Sequence, residues 1–194
     1  MFTKKEDERL VVMLIYVDEL LLTGNDLALI NELKDMLNRN SRIKDLGDLK
    51  YFLGLEVLRS EKGILLNQRK YALELLKEIG IEGVKPAFNP LEHNLKLTTT
   101  EYDEHLQQLK DEVLVEEKPT FQRLIERLIY PMHTRPRPDI KFAVHHLSQF
   151  MQQPKRIHFE VALRIVKYLK KEPGQGILLK KESKSQLIAF CDSD

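Results

Sequence analysis

Asp18 and Glu19 are adjacent carboxylates in an otherwise apolar run, with Leu10-Val-Val-Met-Leu-Ile-Tyr-Val17 before them and Leu20 to Leu22 after. Two neighbouring negative charges repel, and a cation that neutralises them relieves the repulsion. Hard cations such as magnesium take oxygen ligands of this kind. Magnesium ions held by carboxylates can drive nucleotidyl transfer: one activates the attacking hydroxyl and the other steadies the leaving pyrophosphate. Acidic residues at a turn are also common with no metal nearby. Taken alone, the pair favours that plainer reading.

The segments around the pair must position it. Leu10 to Val17 is short and rich in branched and aromatic residues, which predicts a buried strand. Leu20 to Thr23 resumes the run, so the whole reads as a hairpin with an acidic tip. Gly24-Asn25-Asp26 supplies a turn and a helix N-cap. Leu29, Ile30, Leu33, Met36 and Leu37 then recur at helical spacing. Tyr51 to Leu58 reads as one strand, with Leu53, Leu55 and Val57 on one face. After a turn at Glu61-Lys62-Gly63 the chain returns through Ile64 to Asn67. A helix follows from near Gln68, with Ala72, Leu75, Leu76 and Ile79 inward and Gly80 just past its end.

Pro86 and Pro90 mark residues 81–97 as extended loop. Residues 98–119 are polar, with a weak helical pattern through Leu106, Leu109 and Val113. Three clearer helices come next. Thr120 is placed to cap the first, and Pro131 to end it. Asp139 is placed to cap the second, which turns Ala143, Val144, Leu147 and Met151 inward. The third follows Pro154, with Ala162, Ile165, Val166 and Leu169 inward. Glu172-Pro-Gly-Gln-Gly176 breaks it, and short strands are predicted at 177–180 and 186–191. His145 and His146 have no acidic or cysteine partner at ligand spacing and read as ordinary helix residues. The order of elements predicts an α+β chain, with a mixed module preceding a helical one.

Composition narrows the function classes. A single cysteine, Cys191, excludes an internal disulfide and a cysteine-based zinc site, and points to a reducing compartment, cytoplasmic or nuclear. The longest apolar run falls well short of the ~20 residues of a membrane span, so no membrane partner is expected. Residues 1–119 carry 17 Lys/Arg and 23 Asp/Glu, a net of −6, whereas residues 120–181 carry 13 and 4, a net of +9. The basic half can attract a polyanion although the whole chain is near neutral. On charge alone, solvated helix faces are the slightly favoured reading.

Several motifs, in order, carry a resemblance to a family. Tyr16-Val17-Asp18-Glu19 is similar to the Tyr-X-Asp-Asp signature of reverse transcriptases. Ile43-Lys-Asp-Leu-Gly-Asp-Leu-Lys-Tyr-Phe-Leu-Gly-Leu-Glu-Val57 resembles the copia-type segment that holds the primer-grip hairpin. Gly63-Ile-Leu-Leu-Asn-Gln-Arg-Lys-Tyr71 resembles the strand and helix start that follow. Leu128-Ile-Tyr130, His133-Thr-Arg-Pro136 and Pro138-Asp-Ile140 resemble the thumb, and Leu147-Ser-Gln-Phe-Met151 and Pro173-Gly-Gln-Gly-Ile177 continue the order. Asp192-Ser-Asp194 resembles the first acidic strand of the attached ribonuclease H domain. Together they identify a copia-type retrotransposon reverse transcriptase.

That resemblance implies RNA-directed DNA polymerase chemistry on an RNA–DNA template–primer, with magnesium as cofactor. It implies a partial palm over residues 1–67, a helical thumb and connection over 68–175, and the first strands of a ribonuclease H domain over 176–194. Asp18 and Glu19 would be the catalytic metal ligands. Tyr16, Phe52, Leu53 and Gly54 would lie near the primer, and Arg123, Arg127, Arg164 and Lys167 would track phosphates. Asp192 would be a ribonuclease H remnant.

The chain also departs from the family pattern. The family's first palm aspartate lies in an upstream segment that this sequence does not include, and Asp7 is a poor substitute. Glu19 stands where the family has aspartate. Glu126 replaces a usual glycine, and Arg137-Pro138 reads as an insertion. These departures predict that the chain does not polymerise alone. The leading expectation is a polymerase fragment with little or no activity alone; the alternatives are a binder of nucleic acid through the basic half without chemistry, an enzyme whose missing fingers come from a partner chain, and a stable remnant with no molecular role.

Overall fold

The computed structural model describes residues 1–41, 43–106, 116–133 and 137–181. The fold is mixed α+β, as predicted, with two antiparallel sheets and six helices among the described residues. The chain divides into two compact units, Met1–Val57 and Leu58 onward.

The first unit opens with β1 (Phe2–Glu6), β2 (Arg9–Tyr16) and β3 (Glu19–Gly24), paired in the order β1-β2-β3. Helix α1 (Leu27–Asn40) packs on β2 and β3 through Leu29 and Ile30, which bury against Val11, Leu22 and Leu33. The predicted inward face is shorter than its spacing suggested, because Met36 is exposed. Asp26 caps α1 by accepting from the Leu29 N–H at 3.0 Å. Asn25 ties this corner down: its side chain accepts from Leu10 N–H and donates to the Glu8 carbonyl, each at 2.7 Å. The backbones approach so closely here that a Cβ on Gly24 would lie 2.3 Å from the Leu10 carbonyl oxygen. Only glycine fits there.

Strand β1 has no apolar signature in the sequence, because Lys4, Lys5 and Glu6 make up most of it. Its register pairs Phe2 with Met13 and Glu6 with Arg9, around a two-residue turn in which Asp7 takes φ +56°. Aspartate tolerates that left-handed geometry. Lysines on an edge strand discourage further pairing. Lys4 and then Arg9 hold the Glu6 carboxyl below the usual range.

The segment from Tyr51 to Leu58 is not one strand. It folds as β4 (Tyr51–Phe52) and β5 (Leu55–Ser60), with a two-residue turn at Leu53-Gly54. Leu53 therefore lies in a turn and does not share a strand face with Leu55 and Val57.

In the second unit β6 (Gly63–Asn67) pairs with β7 (Gly176–Lys180), from Gly63 opposite Lys180 to Asn67 opposite Gly176. Helices α2 (Arg69–Ile79), α3 (Thr100–His105), α4 (Lys118–His133), α5 (Lys141–Ser148) and α6 (Arg156–Lys171) make up the helical part. The apolar stripes of α2, α4, α5 and α6 meet in one core. Phe121, Ile125 and Leu128 of α4, Val144 and Leu147 of α5, and Ala162, Ile165 and Val166 of α6 are fully buried, with Leu75 and Leu76 of α2 against them.

Two helix ends differ from the sequence expectation. Thr120 lies inside α4, which begins at Lys118, and α4 runs past Pro131 to His133. A proline has no N–H, so a helix through position 131 leaves the Arg127 carbonyl without its usual donor. The Tyr71 hydroxyl fills that place, donating to the Arg127 carbonyl at 2.9 Å. Burial raises the Tyr71 pKa, an effect that Arg127 partly offsets. Tyr71→Phe removes this donor while keeping the ring that packs 5.0 Å from Tyr130. We expect it to destabilise the chain by about 1–2 kcal/mol in a urea titration, the usual cost of a stranded carbonyl. Asp139, expected to cap the second helix, sits instead in a 3-10 turn (Pro138–Ile140) and pairs with Arg137.

Candidate functional site

The acidic hairpin closes with Tyr16 opposite Glu19, so Val17 and Asp18 form its turn. Glu19 is the first residue of β3 rather than part of the tip. Val17 takes φ +53° and is 87 % exposed. A β-branched residue in the left-handed region is strained, and such strain concentrates at functional sites. Asp18 is exposed beside it, and Tyr16 is also exposed.

The β4–β5 turn shows the same strain. Phe52 pairs with Leu55, and between them Leu53 and Gly54 take φ +51° and +76°. Positive φ at both central residues is the I′ hairpin geometry, which favours Asn-Gly or Gly-Gly and disfavours leucine. One hydrogen bond joins the start of β3 to this turn: the Leu53 N–H donates to Glu19 Oε2 at 2.8 Å. The structure thus brings together Glu19 and Leu53, which are 34 residues apart. Nothing in the hydrophobic pattern could have signalled this contact, because it engages a backbone N–H.

The fit to magnesium follows from this geometry. Magnesium demands near-ideal octahedral oxygen geometry and is commonly held by one or two carboxylates plus waters and phosphates. Asp18 is open. Glu19 has one carboxylate oxygen engaged by the turn below it. Among the described residues no group of three or more His, Cys, Asp or Glu side chains gathers to hold a metal. Asp18 and Glu19 by themselves do not make a complete magnesium site.

The basic residues named in the second unit are carried by α4 and α6. Arg123 projects from α4 and is exposed. Arg127 pairs with Glu78 of α2, and its guanidinium lies 6.0 Å from the centre of the Tyr71 ring. Arg164 of α6 donates to Glu92 and to Asn89, each at 2.7 Å. Lys167 is half-buried, and its carbonyl accepts from the Ala87 N–H at 3.1 Å. Lys170 donates to the Glu82 and Val84 carbonyls, and the Lys171 ammonium sits 5.0 Å from the centre of the Phe88 ring. One side of α6 therefore holds the 81–92 segment in place. Asp192 lies outside the described residues, as does the strand predicted at 186–191. Among the described residues no helix is long and apolar enough to cross a membrane.

Two side chains that sequence reasoning passed over are buried and charged. Lys155, just before α6, is fully buried and pairs with Asp103 of α3. Arg137 has a side chain only 4 % exposed. It donates to both oxygens of Asp139, at 3.0 and 2.8 Å, and to the Glu172 carbonyl. A lone charge in a polar stretch gives no sign in sequence that it will find a buried partner.

Residues 1–93 match the family described as reverse transcriptase (RNA-dependent DNA polymerase). The chain is 35% identical over its whole length to the retrovirus-related Pol polyprotein from transposon RE1 of Arabidopsis thaliana. It is 34% identical to the corresponding RE2 polyprotein of the same plant. It spans 12% of the length of each of these polyproteins. An uncharacterized mitochondrial protein of Arabidopsis thaliana is 34% identical over 94% of this chain and 70% of its own length. No solved structure matches the chain.

Proposed function

The chain belongs to the reverse transcriptase family of copia-type transposon Pol polyproteins, and on that premise we propose that it is a partial polymerase unit that holds an RNA–DNA template–primer without extending it alone. The family generally uses a divalent metal and binds a template–primer. In this reading the first unit is part of a palm, and the helices from α2 onward are thumb-like. Asp18 is the carboxylate that would face magnesium, which would supply charge neutralisation at the transferring phosphate. Tyr16, Phe52, Leu53 and Gly54 would lie along the primer end. The observation that carries this reading is the Glu19–Leu53 hydrogen bond, which ties the acidic hairpin to the second hairpin that the family resemblance assigns to that end.

A second reading is a non-catalytic nucleic-acid binder that uses the basic helices. The exposed side chain of Arg123 favours it. Arg127 and Arg164, already engaged by Glu78 and by Glu92, weigh against it.

Fluorescence anisotropy with an RNA–DNA duplex tests both readings. Each phosphate contact contributes a slope of about 0.9 in log affinity against log salt, so two contacts lose about sevenfold when salt is tripled. Arg123→Ala and Lys167→Ala are each expected to lower that slope by about 0.9. Arg127→Ala and Arg164→Ala are expected to change it less, because these guanidinium groups must first leave their carboxylates. No binding at low salt would sink both readings. Primer extension with magnesium is expected at background, and robust extension by the purified chain would overturn the inactive assignment.

A further inference from the structure

We infer that Glu19 is a positioning residue: its carboxylate fixes the Phe52-Leu53-Gly54-Leu55 turn against the acidic hairpin, in preference to serving as a metal ligand. The inference rests on the reading of this region as a primer-end site.

The turn needs such a support. The left-handed region disfavours a side chain with a Cβ, and Leu53 occupies it at φ +51°. A two-residue hairpin also points the N–H of its first central residue away from the strand ladder, so the Leu53 donor needs an outside acceptor. Glu19 supplies one, and it is a charged acceptor, which makes a stronger bond than a neutral one. The side chain reaches because β3 begins at Glu19: pairing with Tyr16 fixes its backbone, and the chain extends from there to Leu53.

Length decides between the two roles. An aspartate at position 19 would be shorter by one carbon–carbon bond, about 1.5 Å. On the same backbone it would leave the 2.8 Å contact stretched beyond hydrogen-bonding range. The glutamate that reads as a defect in a paired-aspartate metal site is thus the residue whose length suits the turn. Asp18, at the exposed tip, has no such commitment.

Three variants separate positioning from metal ligation. Glu19→Gln keeps the reach and a carbonyl acceptor but loses the charge. Glu19→Asp keeps the charge and loses the reach. Glu19→Ala loses both. Amide hydrogen exchange of the full chain, followed by NMR, reads the Leu53 N–H directly, with the β2–β3 ladder amides as internal reference. We expect Leu53 exchange in Glu19→Gln to stay within about threefold of the parent, and in Glu19→Asp and Glu19→Ala to speed up at least tenfold, with the ladder amides unchanged in all. A Leu53 amide in Glu19→Asp as slow as in the parent would overturn the inference. So would an unprotected Leu53 amide in the parent.

Two further readouts go beyond local structure. Adding an RNA–DNA duplex is expected to shift the amide signals of residues 52–55 in the parent and in Glu19→Gln, and not in Glu19→Asp. Titration with Mn²⁺ alone is expected to broaden signals around Asp18 equally in the parent and in Glu19→Gln. Broadening lost in Glu19→Gln but kept in Glu19→Asp would make Glu19 a metal ligand and overturn the inference. Exchange is measured on the free chain, so a failure to bind duplex would remove the proposed function and leave the Glu19–Leu53 contact to be judged on its own.

Discussion

Lys155→Met is expected to lower the thermal midpoint of the second unit by roughly 10 °C, the scale set by stranding one member of a buried ion pair in a chain of this size. The Lys155 ammonium is fully buried, pairs with Asp103, and donates to the Thr98 hydroxyl at 2.9 Å. The Thr98 hydroxyl in turn donates to the other Asp103 oxygen at 2.7 Å, so the three groups close a ring. Methionine matches the lysine stem in volume but leaves the Asp103 carboxylate unpaired. A burial penalty of this kind is steep only while the carboxylate stays charged. The double variant Lys155→Met/Asp103→Leu replaces both charges with apolar groups and is expected to recover much of the loss. Circular-dichroism melts of the three proteins decide it. A single variant that melts with the parent would show the pair to be energetically silent.

The same ring gives a pH signature. The hydrogen bond from Lys155, then that from Thr98, holds the Asp103 carboxyl below its ordinary value of 3.8. A group whose pKa is lower in the folded state contributes stability above its unfolded value and loses it as the pH falls through the folded one. Stability is therefore expected to fall as the pH drops below about 3.8. Asp103→Asn should lower stability at neutral pH and flatten that acid decline.

Arg137→Met is expected to cost about 1–3 kcal/mol, because it removes both bonds to the partly buried Asp139 carboxylate. Arg137 reaches Asp139 with two parallel bonds, donates to the Glu172 carbonyl, and lies 5.7 Å from the centre of the Tyr168 ring. Burial pushes the Asp139 pKa up, but the bonds and charge of Arg137, together with a hydrogen bond from Tyr168, outweigh it and hold the carboxyl below the usual range. Arg137→Lys is also expected to destabilise, because an ammonium cannot make the planar two-bond contact or stack on the ring. Urea titrations of Arg137→Met, Asp139→Asn and the double variant measure the coupling. Additive losses would mean that the pair contributes no interaction of its own.

Parts of this molecule were readable from sequence because hydrophobic period and local chemistry agree. The β2–β3 hairpin, the Asp26 cap and the inward stripes of α2, α5 and α6 all follow that rule. The misread parts depend on a partner far along the chain. Pro131 does not end α4, because Tyr71 donates to the carbonyl that a proline leaves open. The Leu53-Gly54 turn reads as strand because leucine is rare at a left-handed position, and its support comes from Glu19. The positive charge of α6 is plain in the sequence, but its engagement with residues 81–92 is not. Charge can be counted from composition, whereas its availability depends on which carboxylates and carbonyls the fold carries to it.

Strand β1 adds a kinetic consideration to any scheme in which a second polypeptide completes the palm. It already occupies the outer edge of β2, tethered by only the two residues Asp7 and Glu8. A tether that short presents the strand at an effective concentration on the order of millimolar. An incoming strand aimed at the same edge would have to displace a competitor present at that level. Complementation in trans through this edge would therefore be set by strand exchange rather than by simple docking, and deleting residues 1–6 would speed it.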